Sequence, residues 1–256
     1  MPEIEINGVK LYAEKRGSGL PLLLIHVLGG DSTQLEIIAE PLARLYTVIT
    51  YDCRGHGRSE KPAAYTLKDH VQDALSLMND FGFAEFHLLG VSMGSYIAQG
   101  IAVAAPGRIK KLILTVPKSN GLTSSIARLI KENANALKGL NFHETVLYLL
   151  KFMVYDPEMM KDHVDLFEGR LSTTEFAAAS KALENFDFRP ELYKISAETL
   201  VISGKYDQLN PPEEGQICAQ LIPRSKFFEM PFSGHAPMYE ERDKYLQVVK
   251  EFLRQR

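Results

Sequence analysis

The chain has 256 residues, 45% of them hydrophobic and 24% charged, a composition that excludes disordered, fibrous and disulfide-stapled proteins. Lys plus Arg number 29 against 32 Asp plus Glu, a net charge of −3, so a polyanion-binding surface and a nucleic-acid partner are not expected. No apolar run approaches the roughly 18 residues that span a bilayer, and the first residues lack the basic-then-apolar order of a signal peptide, which predicts a cytoplasmic protein with no membrane partner.

In chain order, Val9, Leu11 and Ala13 alternate with polar neighbours, the period of a half-buried strand, and residues 3 to 7 are positioned to pair with it. Leu22 to Ile25 is a continuous apolar run, as in a parallel strand buried on both faces. Leu35, Ile38, Leu42 and Leu45 then fall on one helical face interrupted by Pro41, and Tyr46 to Tyr51 is the next strand. Thr66 and Asp69 form a capping box for a helix whose apolar stripe is Leu67, Val71, Ala74, Leu75 and Met78, closed by Gly82. A strand at Phe86 to Val91, a helix at about 93 to 105 stopped by Pro106, and a strand at Lys111 to Val116 continue the alternation. The fold class is therefore α/β, a mostly parallel sheet flanked by helices.

From Pro117 to Pro190 the pattern turns helical, with no convincing strand, and is read as a helical cap inserted in the sheet domain. Strands at Leu200 to Ser203 and Phe227 to Met230, a helix at about 212 to 221 and a last helix carrying Tyr245, Val248, Val249 and Phe252 resume the core. The predicted division is a core of residues 1–116 and 191–256 with a cap of residues 117–190.

The sharpest chemical signal is Gly90-Val91-Ser92-Met93-Gly94, a G-x-S-x-G where a strand gives way to a helix. A serine on such a strained turn needs small residues two positions to either side, because backbone and helix approach too closely for side chains. Gly90 and Gly94 meet that demand, and Ser92 falls at a helix N-terminus, which favours developing negative charge. A serine hydroxyl also needs a base held by an acid. Of the seven histidines, His235 alone lies in a Ser-Gly-His-Ala-Pro loop between the last strand and the last helix, while Asp207 follows the strand before it. His70 and His163 are read as helix-surface residues, His87 as a strand residue and His143 as part of the cap. His26 and His56 lie in edge loops near the site, and Glu198, Glu213 and Glu214 are read as solvated charges.

The order Ser92, Asp207, His235 resembles the α/β-hydrolase superfamily, and within it small serine carboxylesterases and 3-oxoadipate enol-lactonases. The resemblance is carried by Leu24 to Gly30, Tyr51 to Ser59, the serine elbow, Gly204 to Asp207 and Gly234-His235. It implies an oxyanion hole from the backbone N–H groups of Leu28 and Met93, shaped by His26, Val27 and Gly29 beside Gly90 and Gly94. The family usually carries glycine where this chain has Val27. A β-branched residue there would be strained at a positive φ and crowding otherwise, which suggests reduced turnover.

Among the remaining residues, Arg54 and Arg58 are expected to pin their loop to carboxylates, Cys53 to be a small buried side chain, and the cap aromatics Phe142, Phe152, Phe167 and Phe176 to pack. With only Cys53 and Cys218, neither a disulfide framework nor a metal-ligand spacing is present. The expected function is hydrolysis of a small-molecule carboxylic ester or lactone through an acyl-enzyme on Ser92, needing no metal or organic cofactor. Serine at the elbow sets aside the superfamily members that need aspartate there. The same triad leaves perhydrolase and carbon–carbon bond hydrolase chemistry open, and the alternative from another class is a ligand sensor with slow turnover.

Overall fold

Alternation of faces along each strand divides the apolar residues between two helical layers. In the computed structural model, which describes residues 3–163 and 170–255, Leu23 and Ile25 of β3 (Pro21–Ile25) face one cluster while Leu22 and Leu24 face another. The first layer is built on α2 (Leu67–Asp80) and α3 (Met93–Ala104), the second on α1 (Glu36–Ala43) and the C-terminal helix Arg242–Arg254.

Among the described residues the sheet has eight strands, numbered in chain order and arranged β1-β2-β4-β3-β5-β6-β7-β8. β1 (Glu3–Ile6) and β2 (Val9–Arg16) pair antiparallel, and β2 joins β4 (Thr47–Tyr51) in the same sense. From there β3, β5 (Phe86–Val91), β6 (Ile109–Thr115), β7 (Glu198–Gly204) and β8 (Ser225–Met230) run parallel. The chain leaves β3 towards β4 and returns to the other side as β5, so the loops after β3 and β5 diverge at the carboxyl edge and open a crevice. The capping box of α2 forms as the sequence indicates, with Thr66 and Asp69 bonding reciprocally.

Between β6 and β7 the described residues form α4 (Ser125–Glu132), α5 (Ala134–Leu137), α6 (Phe142–Leu150) and α7 (Thr173–Ala182). The two ends of this segment meet in a neck: Asn120 bridges Asp187, and Phe188 donates its N–H to Ser119 at 2.9 Å. Leu129, Leu149, Leu150, Met153, Val154 and Met160 make a separate apolar cluster that closes on Ala236. After β7 come α8 (Pro212–Leu221), α9 (Pro237–Glu240) and α10 (Arg242–Arg254). No helix among the described residues is long and apolar enough to cross a membrane.

Several individual readings change in three dimensions. His70 is not a surface residue: it lies on the inner side of α2, 1% exposed, because the Tyr51–Ser59 loop folds over it. Glu198 is held between Lys111 at 3.1 Å and Arg224 at 2.7 Å. Glu214 is partly buried, with one carboxylate oxygen unpaired. Phe142 is exposed, Phe152 packs on the small cluster, and Phe167 lies outside the described residues. Arg54 makes two 2.6 Å bonds to Asp73, Arg58 holds Asp52 at 2.8 Å, and Cys53 is a buried free thiol, all as anticipated.

The buried imidazoles predict an acid-sensitive fold. His26 and His56 meet edge to face at 5.2 Å, and His70 stands 6.2 Å from His56. Burial lowers all three, and His56 reaches about 3, with His26 adding repulsion. An unfolded histidine titrates near 6.5, so the neutral form's contribution is complete above that pH and is lost as pH falls towards about 3. Urea unfolding at about pH 5 should give a free energy roughly 2 kcal/mol lower than at about pH 7.5 from His56 alone. A flat profile over that range would show that these rings are solvated.

Candidate active site

Ser92 sits at the turn from β5 into α3 with φ 52° and ψ −116°, a region that non-glycine residues avoid. The turn is held by Ser92 N–H donating to Thr115 O at 2.9 Å and by Ser95 donating its N–H and hydroxyl back to Ser92 O. A Cβ on Gly90 would lie 2.1 Å from Gly94 O, and one on Gly94 would lie 2.2 Å from Ile25 O. The two glycines are therefore fixed by close approach rather than by an unusual φ.

His235 and Asp207 arrive on the loops after β8 and β7. His235 Nδ1 is 2.7 Å from Asp207 Oδ2, and His235 Nε2 is 2.9 Å from Ser92 Oγ. The other Asp207 oxygen accepts the N–H groups of Leu209 and Asn210, both at 2.9 Å, so the carboxylate is an acceptor throughout and Nδ1 must donate. That tautomer leaves the Nε2 lone pair facing the serine hydroxyl. All three side chains are buried.

The loops carrying this pair are anchored to the segment between β6 and β7. Gln208 N–H donates to Phe152 O at 2.9 Å, and His235 N–H donates to Met153 O. Gly234 is required because a Cβ there would meet Met153 O at 2.1 Å. Glu240 accepts N–H groups from Tyr155, Gly234 and Ala236 at 2.6, 2.8 and 3.2 Å. Burial raises its carboxyl above the ordinary value while those bonds act against the shift.

The β3 loop faces the same crevice. His26 Nε2 accepts the Cys53 N–H at 2.9 Å and its Nδ1 lies 2.7 Å from Val27 O, so the ring acts as a loop brace. Val27 is not among the residues with positive φ; that conformation falls on Gly29, at 77°. The strain considered for Val27 is therefore absent, and its half-buried side chain packs beside the second core cluster. Leu28 and Met93 line the cavity next to Ser92. As the first residue of α3, Met93 has an N–H with no intrahelical acceptor.

The cavity measures about 220 Å³ and opens on Ser92 and His235. Val27, Leu28, Met93, Leu209 and Met238 form apolar wall, and Phe176 contributes as well. Tyr96, Lys118, Ser125 and Asn210 form a polar side that the sequence does not single out. Asn210 Nδ2 donates to Tyr96 Oη and to Val116 O, each at 2.8 Å. Burial raises the Tyr96 phenol, with hydrogen bonds to Asn210 and Ser92 opposing. The helical i, i+4 spacing of Ser92 and Tyr96 was a usable signal for this contact. His143 and His163 are exposed, the latter against the Tyr239 ring, and His87 is buried within β5. No group of three or more His, Cys, Asp or Glu among the described residues is arranged to hold a metal ion.

A family model described as the alpha/beta hydrolase fold matches residues 21–242. The chain belongs to the α/β-hydrolase family. This hydrolase is 31% identical to Lipase 3 of a Moraxella species, over 90% of the chain and 76% of that protein. It is 25% identical to the proline iminopeptidase of Heyndrickxia coagulans, over 98% of the chain and 97% of its relative. Among solved structures, the enol-lactonase of Burkholderia xenovorans LB400 superposes with a TM-score of 0.86 at 25% identity, covering 99% and 100% of the two chains. These names share the hydrolase chemistry and differ in substrate.

The close approach at the elbow gives a paired test in the α/β-hydrolase. Gly94→Ala forces a Cβ against backbone, whereas a Cβ at Gly107 meets nothing within 4 Å. Overpacking of this kind costs about 1–3 kcal/mol or more, so Gly94→Ala should lower Tm by about 2–12 °C while Gly107→Ala stays within about 1 °C. Equal melting temperatures for the two variants would refute the close packing described for the turn.

Proposed function

We propose that this α/β-hydrolase is a serine esterase or lactonase acting on small molecules, with Ser92, His235 and Asp207 as its catalytic triad. The observation that carries the reading is the unbroken hydrogen-bond series from Asp207 through His235 to Ser92 at the floor of the cavity. His235 Nε2 takes the hydroxyl proton as Ser92 Oγ attacks the substrate carbonyl carbon. Asp207 holds the imidazole and stabilises its charged form. The oxyanion is received by the N–H groups of Leu28 and Met93. Collapse of the tetrahedral intermediate breaks the ester C–O bond, and the departing alcohol oxygen takes the proton from Nε2. Water, deprotonated by His235, then attacks the acyl carbonyl and returns the serine.

Residues 117–190 serve in this reading as a cap that closes over the acyl group and fixes the two catalytic loops through Phe152 and Met153. The reaction belongs in a reducing cytoplasm, consistent with two buried free thiols. The alternative of a ligand sensor with slow turnover draws on crowding of the oxyanion loop by Val27, and the φ angles bear on strain there rather than on crowding.

Two variants test the assignment. Ser92→Ala should fold with unchanged melting behaviour and lose both the burst and the steady-state hydrolysis of p-nitrophenyl esters by at least about 10⁴-fold; retained turnover would exclude Ser92 as nucleophile. Because Val27 carries no backbone strain, Val27→Gly should change turnover of a short ester by less than about fivefold. A gain of a hundredfold or more would mean that the valine displaces the oxyanion loop.

A further inference from the structure

Lys118 follows β6 by three residues and lines the cavity that opens on Ser92. It is 6% exposed. Its Nζ donates to Thr123 O at 3.0 Å and to Ser125 Oγ at 3.1 Å, both residues of the same cavity wall. Ser125 donates onward to Asn210 Oδ1 at 3.0 Å, and Asn210 N–H bonds Asp207, so the ammonium belongs to the polar side shared with the acid loop.

Lys111 is the other buried lysine among the described residues, and it meets Glu198 at 3.1 Å. Lys118 forms no ion pair with any described carboxylate; its two acceptors are neutral oxygens. A buried ammonium without a counter-ion is costly, and three N–H donors serve two acceptors here. Burial holds the lysine below its ordinary value, with Glu214 countering from beyond ion-pair reach.

We propose that Lys118 is the recognition cation for a carboxylate carried by the substrate. The inference rests on the ester-hydrolase reading above and narrows it to anionic esters or lactones, such as monoesters of small dicarboxylic acids.

The test compares charged and neutral partners on each side of the scissile bond. One pair is a monoaryl glutarate against the aryl methyl glutarate, and the other a carboxyphenyl valerate against the phenyl valerate. In the wild-type enzyme, kcat/KM for the anionic member of at least one pair should exceed that of its neutral partner by about tenfold or more, carried by KM. Lys118→Met should reduce that ratio by about tenfold or more, and Lys118→Arg should retain most of it. Ratios near unity for both pairs in the wild type overturn the inference while leaving the ester-hydrolase reading intact. A Lys118→Met enzyme that loses both members of a pair equally also overturns it, since a purely structural lysine behaves that way. If the methionine variant does not fold, the wild-type ratios and those of Lys118→Arg decide. No turnover of any of the four esters would overturn the hydrolase reading and this inference together.

Discussion

The site depends on one backbone contact, the approach of the β5–α3 turn to the carboxyl end of β3. Ile25 O lies where a Gly94 Cβ would be, and Gly94 O lies where a Gly90 Cβ would be. No larger residue satisfies both distances, and with them Ser92 is driven to φ 52°. Such backbone is unfavourable by itself. It persists because the turn is bonded to Thr115 on one side and to Ser95 on the other, at the end of β5, a central strand that is buried throughout. The same contact brings Leu28 and Met93 to the wall beside the serine.

A second constraint acts from the opposite side. The loops after β7 and β8 approach each other so closely that Gly204 could not carry a Cβ, which would lie 1.9 Å from Gly234 O. Phe152 and Met153 then accept one N–H from each neighbouring loop, and Glu240 gathers three more. Asp207 and His235 are thus set by backbone bonding to the inserted segment as much as by their own strands. This couples the proposed cap to the geometry of the proposed triad, since a shift of residues 152–155 would carry both loops with it.

The distribution of buried charge separates scaffold from site. Asp73 is matched to Arg54, Asp52 to Arg58 and Glu198 to Lys111, each at hydrogen-bonding distance. Burial opposes ionisation of Asp52, yet bonds from Arg58 and Ser32 bring it to about 2. The Arg54 and Arg58 pairs hold the loop that follows β4, Ser32 ties the loop after β3 to Asp52, and Lys111 with Glu198 joins β6 to β7. At the cavity the pattern changes: among the described residues the lysine there meets neutral oxygens alone, and the carboxylate of Asp207 meets an imidazole and two N–H groups. Stability demands matched charges in a scaffold, and a recognition site is where a mismatch has a use.

Local chemistry in the sequence was sufficient for the alternation of strands and helices, the Thr66–Asp69 cap, the elbow glycines and the chain order of serine, aspartate and histidine. Each is a short-range pattern: a periodicity, a cap, or a loop placed after a strand. What required tertiary structure were distances across the chain. His70 reads as a polar helix residue until the Tyr51–Ser59 loop covers it. Whether Val27 is strained or only crowding turns on its φ, and the positive φ of that loop falls on Gly29. Nothing in its local sequence marks Lys118, which the neck at Asn120 and Asp187 folds inward with no ion pair to a described carboxylate. Periodicity reports which face of an element is apolar, but burial of a polar group depends on which distant segment lies over it, and that is decided only when the layers pack.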